Sequence, residues 1–160
     1  MYNLKRIQGS FATNTLLSDM KSLHANTCCQ VYSHKVGFVA FYPKLNAKGG
    51  SLDETLDDFV HDFGAPEHLT FGGFQYQVGN NTKFFSNLLK YNIDHRVSAP
   101  RRPNENPAEG TIREIKRRFY RVMQLMKAPK HVWGYLLVWI SDTVNLYVFS
   151  SLYAKGRTDF

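Results

Sequence analysis

The densest chemistry in the sequence lies between residues 101 and 130, where nine Lys and Arg stand against three acids. The first hundred residues carry nine basic and eight acidic side chains, and the last thirty carry two of each. One concentrated basic segment in an otherwise near-neutral domain points to a polyanionic partner. Inside that segment Glu109 is followed by Arg113, Lys116, Arg117 and Tyr120. On a helix, at about 100° per residue, Glu109, Arg113, Lys116 and Tyr120 fall within about 60° of one another, with Arg117 at the margin. Cations in such a row neutralise phosphates and release counterions. Tyr120 reads as half-buried beside the helix's apolar stripe.

Three other groups of reactive residue types carry less. Asp53, Asp57, Asp58 and Asp62 place four carboxylates on one predicted helix, and they read as a solvated acidic face. Cys28 and Cys29 are adjacent, too cramped to pair with each other, and read as strand residues in a reduced compartment. With no second cysteine pair, His24 and His34 do not complete a zinc ligand set. His95 beside Asp94 reads as a surface hydrogen-bonded pair with no nucleophile to serve.

The elements that must position these residues are legible from periodicity and punctuation. The runs 9–17, 28–33 and 36–42 read as strands, the last two forming a hairpin across His34 and Lys35, with Pro43 ending the third. Leu52, Leu56, Phe59 and Phe63 make one stripe of a helix over 51–63, opened by a capping box of Ser51 and Glu54 and closed by Gly64 and Pro66. Strand 68–71, helix 82–91 and strand 93–98 follow. After the proline-punctuated loop 99–107, a helix runs from Pro107 to about Lys127, capped by Asn106. Ile112, Ile115, Phe119, Val122 and Met126 form its apolar stripe. Beyond Pro129 a last helix over 132–149 repeats that spacing with Trp133, Leu137, Ile140, Val144 and Tyr147. Lys83, Phe84 and Phe85 read as a helix face on the sheet. Antiparallel strands followed by helix–strand alternation predict a mixed five-stranded sheet in an α/β domain with helices on both faces.

Composition agrees with a single domain. The chain has 160 residues, 43% apolar and 14% aromatic, with a net charge of +7, which excludes disorder and a disulfide-stapled miniprotein. No basic-then-apolar leader opens it, so an intracellular protein, nuclear or cytoplasmic, is expected. The apolar stretch 132–152 is interrupted by Asp142, Thr143 and Asn145, which predicts a buried helix and no membrane contact.

The stretch Pro100, Arg101, Arg102, Pro103, Asn106, Ala108 and Glu109 resembles the P-x-x-P-x-x-N-x-A-E element of copia-type retrotransposon integrases, in which the Glu is the third catalytic carboxylate. Thr13, Asn14 and Thr15 stand where such integrases have Thr-Asp-Thr. Ser22, Leu23, Asn26, Thr27, Cys28 and Gln30 resemble the approach to the second strand, and Tyr42 with Pro43 its end. Gly64, Pro66, Leu69 and Gly73 resemble the G-x-P and L-x-x-D-G stretch that carries the second catalytic Asp, which puts Gly72 at that position. Ile112 to Lys116, Trp133, and Gly156, Arg157 and Thr158 extend the resemblance over roughly residues 10–160. The intervals agree too: 58 residues separate positions 14 and 72, and 37 separate 72 and 109.

The resemblance implies a ribonuclease H-like fold and a site for two Mg²⁺ ions about 4 Å apart, held by clustered carboxylates for polynucleotidyl transfer. This sequence departs from the pattern at two of the three catalytic positions. Asn14 keeps an oxygen but not the charge, Gly72 has no side chain, and Glu109 alone remains, the sole family metal ligand. Asp19 and Asp94 match no motif that would let them substitute. The implied protein is a degenerate integrase core with strand transfer lost, Mg²⁺ not bound, and double-stranded DNA held through Arg101, Arg102, Arg113, Lys116, Arg117 and Tyr120. In the family, the basic residues at positions matching Arg113 and Lys116 approach the DNA end. The alternatives are a protein–protein assembly module derived from such a core, with a homodimer as one form, and a nuclease active on replacement ligands. Residues 1–160 are expected to form one domain, with 1–9 as lead-in and neither the family's zinc-binding N-terminal module nor a C-terminal domain.

Overall fold

Residues Cys28 to Ser33 are buried at every position, the pattern of a strand covered on both faces. The computed structural model, which describes residues 4–47, 50–72, 83–98 and 106–154, places this strand second in a five-stranded sheet. The elements are β1 (Arg6–Leu17), β2 (Cys28–His34), β3 (Val39–Lys44), α1 (Gly50–Asp62), β4 (Ala65–Gly72), α2 (Lys83–Lys90), β5 (Asp94–Ser98), α3 (Pro107–Met126) and α4 (Trp133–Ala154), with a short 3-10 turn at Lys130–Val132. The sheet order is β3-β2-β1-β4-β5. β1, β2 and β3 are antiparallel neighbours, and β4 and β5 add in parallel to β1. The expected mixed sheet with three antiparallel strands at its start is thus the observed one.

Two apolar clusters cover its two faces. Phe11, Tyr32, Leu56, Phe59, Leu69 and Phe84 belong to the layer with α1 and α2. There the Tyr32 and Phe59 rings stack at 4.4 Å, and Tyr32 hydrogen-bonds Thr55 at 3.0 Å. Val31, Phe41, Ile112, Ile115, Trp133 and Leu137 belong to the layer with α3 and α4. Asn145 ties that layer to the sheet edge, donating to the Val39 carbonyl at 2.7 Å and accepting from its amide at 3.0 Å. No helix among the described residues is long and apolar enough to cross a membrane.

The structure corrects several local expectations. The hairpin turn occupies residues 35–38 and β3 begins at Val39, because Gly37 adopts φ +99° and reverses the chain there. Pro43 does not end β3. It pairs opposite Cys29, and since β3 is an edge strand the missing N–H breaks no second ladder. Helix α1 starts at Gly50, so Ser51 lies inside its first turn and not ahead of it. The acidic side of α1 is solvated only towards its end, at exposed Asp62; at Asp53 and Asp57 it packs against the rest of the fold. Asp53 is 6% exposed, and its burial raises the pKa. Burial also opposes ionisation of Asp57, but hydrogen bonds from Tyr91, Asn87 and Lys90 outweigh it and hold that carboxyl below its usual range. Asp58 pairs with Lys44 at 2.9 Å, and Asp62 accepts from Tyr42 at 3.0 Å. His95 does not pair with Asp94, since neighbouring strand residues face opposite ways. Asp94 meets His68 at 3.5 Å, and the His95 ring stacks on Phe71. Of the face read over Lys83 to Phe85, Phe84 is buried, Phe85 packs partly against the core and Lys83 is exposed. Cys28 and Cys29 are free thiols, both fully buried in β2.

Candidate nucleic-acid interface

The middle of β1 is flanked on both sides, Asn14 opposite Val31 of β2 and Thr13 opposite Phe71 of β4. Polar side chains there satisfy one another. Thr13 donates to the Val31 carbonyl at 2.8 Å and accepts from buried Gln30, whose amide oxygen accepts from Thr15 at 2.7 Å. Asn14 Oδ1 accepts the Thr15 amide at 2.9 Å.

Asn106 brings α3 to this point. Its extended backbone (φ −107°, ψ 102°) and Pro107 at the first helical position start the helix, and its Oδ1 accepts from the Ala108 amide at 3.0 Å. The same side chain, 1% exposed, donates through Nδ2 to the Thr13 carbonyl of β1 at 3.1 Å. Asn106 is thus cap and tether at once. Only the first role is legible in the sequence, because a cap is a local pattern and the tether spans 93 residues. Gly72, the last residue of β4, completes the group. A Cβ built on it would lie 3.8 Å from Asn14 Oδ1 and 3.9 Å from Asn106 Nδ2, ordinary van der Waals separations. Its φ lies outside the positive region, so neither backbone nor space demands a glycine there.

Positions 14, 72 and 106 therefore converge where the end of β4 and the start of α3 meet the middle of β1, with half-buried Glu109 in the first turn of α3. The donor set does not fit a pair of Mg²⁺ ions. It offers one carboxylate, one amide oxygen already accepting a backbone hydrogen bond, and no side chain at position 72. Among the described residues no group of three or more His, Cys, Asp or Glu is placed to hold a metal ion, and exposed Asp19 and Asp94 join no such group.

Along α3 the buried stripe is shorter than the periodicity predicts. Ile112 and Ile115 are buried and Phe119 and Val122 half-buried, but Met126 is 66% exposed, because the helix outruns the sheet beneath it. Tyr120 is likewise exposed (61%), not half-buried as its place beside the stripe suggested. Arg113, Lys116, Arg117 and Arg121 are all exposed. Arg117 and Arg118 lean on Glu114 at 3.4 and 3.1 Å, whereas Arg113, Lys116 and Arg121 form no ion pair among the described residues. Arg101, Arg102 and Gly73, like Gly156 to Thr158, lie outside the described residues.

Gly110, next to Glu109, has open space where a side chain would stand, with nothing within 4 Å of a built Cβ. Gly110→Ala is expected to raise stability by about 0.5–1 kcal/mol, the usual helix-interior difference. Thermal unfolding checks this, and an unchanged or lower midpoint would contradict it.

This sheet order, with helices on both faces and a helix starting beside the end of β4, is that of a ribonuclease H-like α/β fold. The particular likeness is to a chain of the simian T-cell lymphotropic virus intasome, solved by cryo-electron microscopy in complex with the PP2A regulatory subunit B56 gamma. The TM-score is 0.62 at 14% identity, over 87% of this chain and 51% of that one. The chain thus spans about half the length of that protein. No protein-family model and no curated protein matches the sequence.

Proposed function

We propose that the chain is a copia-type integrase core whose carboxylate triad has decayed, and that it binds double-stranded DNA without catalysing strand transfer. Asn14 and Gly72 occupy the two lost Asp positions and Glu109 the retained Glu, so no Mg²⁺ is held. The observation that carries the reading is the row of exposed cations on α3, Arg113 and Lys116 without an acidic partner, beginning one turn after Glu109. Arg101, Arg102, Arg117 and Tyr120 extend the contact. A DNA ligand assigns the protein to the nucleus, or to the cytoplasm where element DNA is made. A second reading, assembly with a protein or with a second copy, is favoured by the apolar side chains α4 leaves exposed, Tyr135, Trp139, Leu146 and Tyr147.

Binding to duplex DNA is expected to be sequence-tolerant and steeply salt-dependent, each neutralised phosphate contributing about 0.9 to the log–log slope. Replacing Arg113, Lys116 and Arg117 together by Gln is expected to flatten that slope by about two units, nearer two than three because Arg117 is shared with Glu114. The comparison variant changes Lys5, Lys35 and Lys83, three exposed cations elsewhere on the fold. Equal losses in the two triple variants, measured by fluorescence anisotropy across a salt series, would remove the DNA reading.

A further inference from the structure

Where β1 ends, its C-terminal residues and the following bend face the middle of α3 and the start of α4 across a groove of about 590 Å³. That volume lies in the range of binding sites. Its near wall is Leu17 (60% exposed) and Met20 (43%), its far wall Phe119, Tyr120 and Met123, and Trp133 lies at its base, 5% exposed. The groove is preformed. The Trp133 indole donates to the Met20 carbonyl at 2.8 Å, and the Leu23 amide to the His131 carbonyl at 2.9 Å, which pins the bend after β1 to the start of α4 and to the 3-10 turn before it.

We propose that this groove docks a short amphipathic helix of a protein partner, apolar on one face and acidic at its flanks. Three observations set that occupant. The lining from Lys116 to Gln124 spans nine residues of α3, about 12 Å from first to last, which matches two turns of a ligand helix with anchors at i, i+3 or i+4, and i+7. Leucine and methionine walls adapt to branched aliphatic anchors. A nucleic-acid base needs an exposed ring to stack on, and of the three lining rings only Tyr120 is exposed. The rim is net positive: Lys116 and Lys130 line it against the one acid Asp19, and neither lysine has an ion-pair partner among the described residues. Acidic flanks on the ligand supply those partners.

The proposal does not rest on the DNA reading, but it meets it at Lys116, which belongs both to the groove and to the basic row. A docked acidic helix withdraws that cation from DNA, so peptide and duplex compete.

The test uses a Trp139→Phe background, in which Trp133 is the single tryptophan and its emission reports the groove. The probe is a synthetic peptide of about four turns with Leu at i, i+3, i+4 and i+7 and Glu elsewhere. One control scatters the same Leu residues around the helix, and another replaces Glu by Lys. The first peptide is expected to shift Trp133 emission saturably at micromolar concentration, and both controls to bind at least tenfold more weakly. Leu17→Glu and Met123→Glu should each weaken binding tenfold without moving the unfolding midpoint, Leu17 serving if Met123→Glu folds poorly. Lys116→Glu with Lys130→Glu should transfer the preference to the Lys peptide. Equal binding of the scattered peptide, or indifference to both groove variants, overturns the proposal. A single-stranded oligonucleotide that saturates the Trp133 signal where the acidic peptide does not overturns it in favour of nucleic acid. Loss of the duplex salt slope with peptide binding intact would sink the DNA reading alone.

Discussion

Asn14→Asp combined with Gly72→Asp is expected to make the unfolding midpoint rise with Mg²⁺, a dependence not expected of the parent. The geometry makes the substitution feasible. The new side chain at position 72 enters ordinary contact distance of position 14 and of Asn106 Nδ2, with no positive φ to strain it. Two carboxylates set side by side at positions 14 and 72 repel in the metal-free state, so without Mg²⁺ the double variant should unfold earlier than the parent. A ligand that binds only the folded state restores stability by RT ln(1 + [L]/Kd), about 2.7 kcal/mol at a hundredfold excess over Kd. For a domain of this size that corresponds to about 5–10 °C. Calorimetric titration should show Mg²⁺ affinity at least tenfold above the parent, with Gly72→Asp alone in between. A folded double variant with a Mg²⁺-independent midpoint would mean that positions 14, 72 and 109 do not form one site.

Asn106→Ala has the largest expected effect on stability of any single change in this region. It removes the cap of α3, a loss of about 1 kcal/mol. It also leaves the buried Thr13 carbonyl without its side-chain donor, a further 1–2 kcal/mol or so. Together these lower the unfolding midpoint by about 5–10 °C. Asn106→Asp keeps an acceptor for the Ala108 amide and gains from the helix dipole, but sets a carboxylate against the Thr13 carbonyl. Asn106→Ser keeps the cap without the reach. Both are expected to fall between parent and Ala, which separates tether from cap. If Ala costs no more than an exposed substitution, under about 0.5 kcal/mol, α3 is held by its apolar stripe alone.

How much of this was legible in advance follows the range of the forces involved. The stripe of α1, the Asn106–Pro107 start of α3 and the breaks at Gly64 and Pro129 were readable because they rest on contacts between residues a few positions apart. The fold class was readable from element order, since short connections leave few ways to arrange such a chain. The positions of Asn14, Gly72 and Glu109 came from resemblance, on ordered motifs at matching intervals, and not from periodicity.

What the amino-acid sequence determined by itself was the set of helices and strands and the crowding of positive charge onto one helix. The tertiary structure decided whatever depended on a partner distant along the chain. It turned the acids of α1 into a docking face for Asn87, Lys90 and Lys44, and gave Asp94 to His68 in place of His95. It let Pro43 stay in a strand by putting that strand at the sheet's edge. It left Tyr120 and Met126 exposed by ending the sheet before the helix. It also set Asn14 beside Gly72 and hung α3 from β1 through one buried amide. Periodicity specifies which side of an element is apolar, but how far that side is covered depends on where neighbouring elements stop, which only long-range packing sets.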